Sequence, residues 1–134
     1  MTYTKAWDRE RALVDFRDTP GAVLFAPSFD RGVDLVDDDC RVIIVAKVPA
    51  PFLGDAQVKA RLNSGREGEI WYTVQTIRTL VQMTGRGVRS VDDHCESYIL
   101  DARFTEHIYK RHKNLLPEWW RDALDRSFRT RELM

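Results

Sequence analysis

The sequence predicts one α/β domain, with a mostly parallel sheet and helices on both of its faces. Three observations carry that expectation. Strand-like and helix-like segments alternate through the middle of the chain, the order that crossover connections produce. Two of the strand-like segments, "AVLFAPS" (22–28) and "RVIIVAKV" (41–48), are continuously apolar and β-branched, as strands buried on both faces are. Finally, 134 residues with 43% hydrophobic and 31% charged side chains suit one ordinary core.

The elements follow in order. "DRERALVDF" reads as a short helix, with Asp8 as N-cap and Leu13 and Phe16 facing inward. "TPG" ends it. Strands are expected near 22–27 and 42–47, the second leading into the loop "PAPFLGD". "DAQVKARLN" is a short helix. The clearest helix begins at Ile70, where Ile70, Val74, Ile77 and Val81 recur at helical spacing beside Trp71 and Leu80. "SYILDA" supplies a third strand, near 97–101, parallel to the others and adjacent to them. "FTEHIYKRHKNLL" is a helix with Phe104 and Ile108 on one side. Pro117 suits the first turn of a last helix, "PEWWRDALDRSF". Trp119 and Trp120 point about 100° apart on that helix, so one packs inward and the other outward.

Composition narrows the function classes. The formal net charge is +0, which argues against binding nucleic acid as a bulk polycation. No apolar run approaches the ~18 residues of a membrane span, and "MTYTKAWDRE" lacks a signal-peptide core, so no membrane partner is expected. Two cysteines, Cys40 and Cys95, fit an intracellular, cytoplasmic protein with thiols better than a disulfide scaffold. "DDDC" and "DDHCE" hold metal-ligating residue types, but one His and two Cys at irregular spacing read as solvated acidic turns, and no metal site is expected. The charge run "YKRHK" reads as a solvated helix face.

The stretch "QMTGRGVRS" (82–90) carries the chemistry. If the helix from Ile70 runs on, Gln82, Arg86 and Arg89 share one face. Gly85 and Gly87 each weaken a helix, by about 1 kcal/mol relative to Ala, which makes sense where a ligand or another backbone comes close. Two guanidiniums in one array suit a polyphosphate, because each offers five donors and a charge that does not titrate away.

The longer string "QMTGRGVRSVDD" resembles the Gln-x-x-Gly-Arg-x-x-Arg motif of superfamily 2 helicases, and more narrowly the XPD/DinG branch, with Asp93 four residues after the second Arg. In order along the chain, "SFDRGVDL" resembles the preceding motif through Ser28, Phe29, Gly32 and Asp34. "RVIIVAKVPAPFLGD" is similar to the strand and proline-rich loop that follow it. "YILDARF" supplies an Asp-x-Arg through Asp101 and Arg103, and "LLPEWW" is similar to a Leu-Pro-x-Trp tail. The series covers nearly the whole chain. It departs from the branch at Asp30 and Arg31, where Trp-Glu is usual, and at Cys95, where Gly is common.

The resemblance implies a RecA-like, P-loop-NTPase-type lobe, the second of two that bind ATP between them. Arg89 would be the arginine finger, Arg86 a second phosphate or inter-motif contact, and Gln82 a group positioning the attacking water or the nucleotide. Gly32, Asp34 and Gly85 would border the ATP site. Ser28 and Phe29 would touch the backbone of a single-stranded DNA track. The chain contains no G-x-x-x-x-G-K-[ST], so the phosphate loop and the Mg2+ carboxylates are expected on a separate N-terminal helicase lobe. The chain alone, residues 1–134 read as a single domain, is then expected to be inactive and to bind neither ATP nor Mg2+ by itself. A second reading is a stand-alone helicase-derived module that binds nucleic acid or protein without ATPase activity.

Overall fold

The computed structural model describes residues 8–26, 35, 37–87 and 94–132. The first helix, α1 (Asp8–Asp18), is followed by a short 3-10 turn at Asp37–Asp39 and by strand β1 (Val42–Val45). Two helices, α2 (Ala56–Leu62) and α3 (Arg66–Thr84), lead to strand β2 (Glu96–Ile99). A composite helix, α4, is wound as a π-helix over Phe104–Tyr109, as an α-turn over Lys110–His112 and as a 3-10 turn over Lys113–Leu115. The last helix, α5, spans Glu118–Glu132.

The two strands pair in parallel, with Val42 opposite Glu96 and Val45 opposite Ile99. The parallel, adjacent placement expected for the second and third strand segments is therefore observed, with α2 and α3 forming the crossover. The segment expected as a strand at 22–27 is not part of this sheet among the described residues; Phe25 makes a single bridge. Nor is the sheet buried on both faces. Val45 is 2% exposed, while Val42 and Ile44 are 55% and 59% exposed, so the two faces differ sharply. Ile43, Val45 and Ile99 meet the helices, and the described helices leave the face of Val42, Ile44 and Tyr98 open. Among the described residues, the unbroken apolar run of β1 is therefore covered on one face only.

The core joins Val45 and Val48 to Ile77 and Leu80 of α3, Phe104 and Ile108 of α4, Leu116, and Trp120 of α5. Leu80 is fully buried. The expected stripe faces inward through Ile77 and Val81, with Leu80 beside it and Thr76 also buried, while its first residue, Ile70, is exposed. Phe104 and Ile108 lie inward as expected, and Trp120 packs edge-on to Phe104 at 5.8 Å. Trp119 is 62% exposed, which resolves the adjacent pair into one core and one surface residue. A second, smaller cluster holds Leu13 and Phe16 of α1 against Leu35, Cys40, Ile43 and Cys95.

Local chemistry explains the boundaries. Asp55 caps α2 by accepting from the N–H groups of Gln57 and Val58. Gly65, at φ 102°, turns the chain between α2 and α3 in a conformation that suits glycine. Pro117 sits just before α5, where its carbonyl accepts from the N–H groups of Trp120 and Arg121. None of the described helices is long and apolar enough to cross a membrane.

Candidate nucleotide and nucleic-acid site

The C-terminal end of α3 carries the described part of the arginine segment. The helix does not run on in α geometry through Arg86: it ends at Thr84 and tightens into a 3-10 turn over Gly85–Gly87. That change of winding takes Gln82 and Arg86 out of the common register expected for an uninterrupted helix. The glycines account for it, since each weakens the α-helix where it stands.

Thr84 fixes the position of this end. Its hydroxyl donates back to the carbonyl of Leu80 at 3.0 Å and accepts from the Trp120 indole N–H at 3.1 Å. The last turn of α3 is thereby clamped to α5, and the backbone N–H of Gly85 closes the helix onto Val81. A methyl group at Gly85 would meet nothing within 4 Å, so the space above this turn is open to a group from outside the described chain. Arg86 follows, half-buried, with its Nε closed off from solvent. Gln82 is exposed on the rim of an open groove of about 250 Å³, beside Arg78, with Val74, Val81, Leu115 and Pro117 forming its apolar wall.

Of the remaining expected site residues, Arg89, Ser28, Phe29, Gly32 and Asp34 lie outside the described residues, as does Asp93. Gln82, Gly85 and Arg86 are brought together at one helix end.

The Asp-x-Arg motif is described in full. Asp101 follows β2, and its carboxylate accepts from the N–H of Val48 at 2.8 Å and from the N–H of Arg103 at 3.0 Å. It also accepts from the guanidinium, with Arg103 Nη2 at 2.6 Å. The Arg103 guanidinium and the Val48 N–H hold the Asp101 carboxyl well below its ordinary range, against the opposing effect of burial. This one side chain starts the helical segment after β2 and ties it to the loop after β1. The same loop is held from α3 by the Tyr72 hydroxyl, which donates to the Pro51 carbonyl at 3.0 Å.

A further polar group escaped the sequence reading. Asp125 of α5 accepts from the Tyr109 hydroxyl and pairs with Lys113 Nζ at 2.9 Å, and Lys113 lies over the Tyr109 ring at 4.9 Å. The hydrogen bond to Asp125 pushes the Tyr109 hydroxyl up, and Asp125 likewise raises the Lys113 ammonium. Lys113 of the supposed solvated run is therefore engaged. Only the packing of α4 on α5 brings these residues together, and no sequence spacing signals it. Around the acidic turns, no three His, Cys, Asp or Glu residues converge as a metal site among the described residues.

The chain matches the helicase C-terminal domain family over residues 1–123. It belongs to that family. The motif series had pointed to the same family, and the match extends over most of its length. Among curated proteins, a regulator of telomere elongation helicase 1 homolog from Aedes aegypti is 30% identical over 115 residues, covering 76% of this chain and 11% of the relative. The homolog from Drosophila melanogaster is 29% identical over 103 residues, covering 67% and 10%. That from Caenorhabditis elegans is 24% identical over 123 residues, covering 80% and 12%. This helicase C-terminal domain therefore spans about a tenth of the length of the curated relatives it matches.

Proposed function

We propose that this helicase C-terminal domain is the second, RecA-like motor lobe of an ATP-dependent DNA helicase. The observation that carries the reading is the ordered motif series lying within the family match over residues 1–123, with Gln82, Gly85 and Arg86 gathered at the end of α3. In this reading the two lobes close on ATP. Arg89 reaches the transferring phosphoryl group as the arginine finger, Arg86 makes a second phosphate or inter-motif contact, and Gln82 orients the attacking water. Gly32, Asp34 and Gly85 border the nucleotide. Ser28 and Phe29 touch the backbone of a single-stranded DNA track. The open space over Gly85 supports an approaching ligand or lobe. The first lobe would supply the phosphate loop and the carboxylates for Mg2+.

An arginine finger acts where charge develops on the phosphoryl oxygens, and it contributes on the order of 10³–10⁵ in rate. The test is steady-state ATPase kinetics with DNA on a two-lobed enzyme containing this domain. Arg89→Ala is expected to lower kcat by about 10³ or more with an unchanged melt. Arg89→Lys is not expected to restore it, because an ammonium lacks the planar fork. Arg86→Ala is expected to impair turnover and also to lower Tm, since its Nε lies inside the structure. The isolated chain is expected to show no DNA-stimulated hydrolysis. A near-wild-type kcat for Arg89→Ala would remove the finger assignment. DNA-stimulated turnover by the isolated chain would remove the half-motor reading.

A further inference from the structure

Cys40 and Cys95 are 55 residues apart in sequence, yet both belong to the small apolar cluster beneath α1. Both are thiols in this structure. They lie immediately before the paired strands: Val42 is opposite Glu96, and extending that register by one residue sets Arg41 beside Cys95. Two hydrogen bonds hold the strand-leading segments together at that point. The N–H of Glu96 donates to the Arg41 carbonyl at 2.9 Å, and Arg41 Nη1 donates to the His94 carbonyl at 3.0 Å. Cys40 is one residue from Arg41, so it is the diagonal neighbour of Cys95 across the two segments. A strand spacing of ~4.8 Å and a rise of ~3.3 Å place their Cα atoms about 6 Å apart. That lies inside the ~4.4–6.8 Å range over which a disulfide closes without moving the backbone. Strict alternation would put the two side chains on opposite faces. The chain bends at Arg41, however, and Cys40 is buried in the same cluster as Ile43 and Cys95.

We propose that Cys40 and Cys95 form a redox-sensitive staple across the N-terminal ends of β1 and β2, closed by a peroxide as oxidant. Cys95 is the more exposed of the two and reacts first. Its thiolate attacks one oxygen of hydrogen peroxide, the O–O bond breaks, and Cys95 becomes a sulfenic acid while the other oxygen leaves as water. The Cys40 sulfur then attacks the Cys95 sulfur, the S–O bond breaks, and the second oxygen leaves as water with the Cys40 proton. The two thiols lose two electrons and two protons, and the peroxide takes up both. The staple would join segments that continue from the stretches holding Asp34 and Arg89, each six residues before a cysteine.

The test treats the folded 134-residue chain with one equivalent of hydrogen peroxide. Non-reducing peptide mapping and intact mass are then read. The expected result is a monomer lighter by two hydrogens, a linked pair of peptides containing Cys40 and Cys95, and a Tm raised by about 5–10 °C that dithiothreitol reverses. Linking is expected to be roughly tenfold slower in denaturant, where the two segments are no longer held together. Cys95→Ser is expected to give no cross-link. Oxygen adducts on Cys95 with Cys40 untouched, a dimer linked between chains, or equal linking rates in folded and unfolded protein would each overturn the proposal.

Discussion

Asp101 accepts from two backbone N–H groups and from one guanidinium, and each bond has its own consequence. The bond from Arg103 N–H caps the helical segment after β2, while the bond from Val48 N–H satisfies a donor in the partly buried loop after β1. Removing the carboxylate leaves both donors without it, so Asp101→Ala is expected to cost about 1–3 kcal/mol, seen as a Tm lower by roughly 5–10 °C. Arg103→Ala should cost less, because its guanidinium is half-exposed and screened by solvent. The pH dependence follows from the same contacts. The folded-state pKa of Asp101 is depressed, so its contribution is complete above the unfolded carboxylate value, about pH 4, and is lost as the pH falls from there towards the lowered value. Melts at a series of pH values should show the wild-type chain losing stability below about pH 4.5, and Asp101→Asn losing distinctly less over the same interval. Parallel curves for the two proteins would contradict this account.

The helices place the candidate site through two close contacts. The first is at Gly68 in α3, where an added Cβ would stand 2.0 Å from the Arg61 carbonyl oxygen of α2. Alanine is the better helix former by about 1 kcal/mol, but here the backbone of α2 must move to admit it. Gly68→Ala is therefore expected to destabilise the chain by about 1–3 kcal/mol in a denaturant titration, and a gain in stability would show that α2 yields easily. The second contact is between Thr84 and Trp120. Thr84→Val keeps the shape and removes the acceptor of a buried indole N–H, at a cost of about 1–2 kcal/mol. The loss should also unlock the turn at Gly85 and Arg86 from α5. Faster hydrogen exchange of the Gly85 and Arg86 amides in Thr84→Val, relative to wild type, is the outcome expected.

At the scale of the molecule, the sheet is covered from one side by the described helices. Val45 faces Leu80 and Phe104 in the main cluster, while Ile44, its neighbour in the same strand, faces outward. Val45→Ala is expected to cost about 1–3 kcal/mol and Ile44→Ala well under 1 kcal/mol, although Ile44 is the larger side chain. Equal losses in parallel thermal melts would mean that the outer face is covered in solution. Residues of α3, α4 and α5 join Val45 in one core cluster on that side. Those helices are tied to one another by Thr84 with Trp120 and by Asp125 with Tyr109 and Lys113.

Several features were legible in the sequence because they depend on neighbours along the chain. The inward pair Phe104 and Ile108 and the placement of Pro117 at the start of the last helix follow from local spacing and helix-start chemistry, which the backbone reads within one turn. The family was legible for a different reason: several short motifs kept their order across most of 134 residues. Other features were decided only in three dimensions. The apolar run of β1 did not reveal which face would be open, because the same β-branched residues suit either a covered or an exposed position. The stripe from Ile70 marked the inward face of α3 at Ile77, Leu80 and Val81, but not that its first turn at Ile70 would be exposed, because that depends on where β1, α4 and α5 stand. The winding between Gln82 and Arg86 changes from α-helix to a 3-10 turn, at a helix end that Thr84 clamps to Trp120, 36 residues away. Spacing along a chain specifies periodicity and capping. Only packing between distant segments selects which face is buried, which carboxylate meets which cation, and where a helix stops.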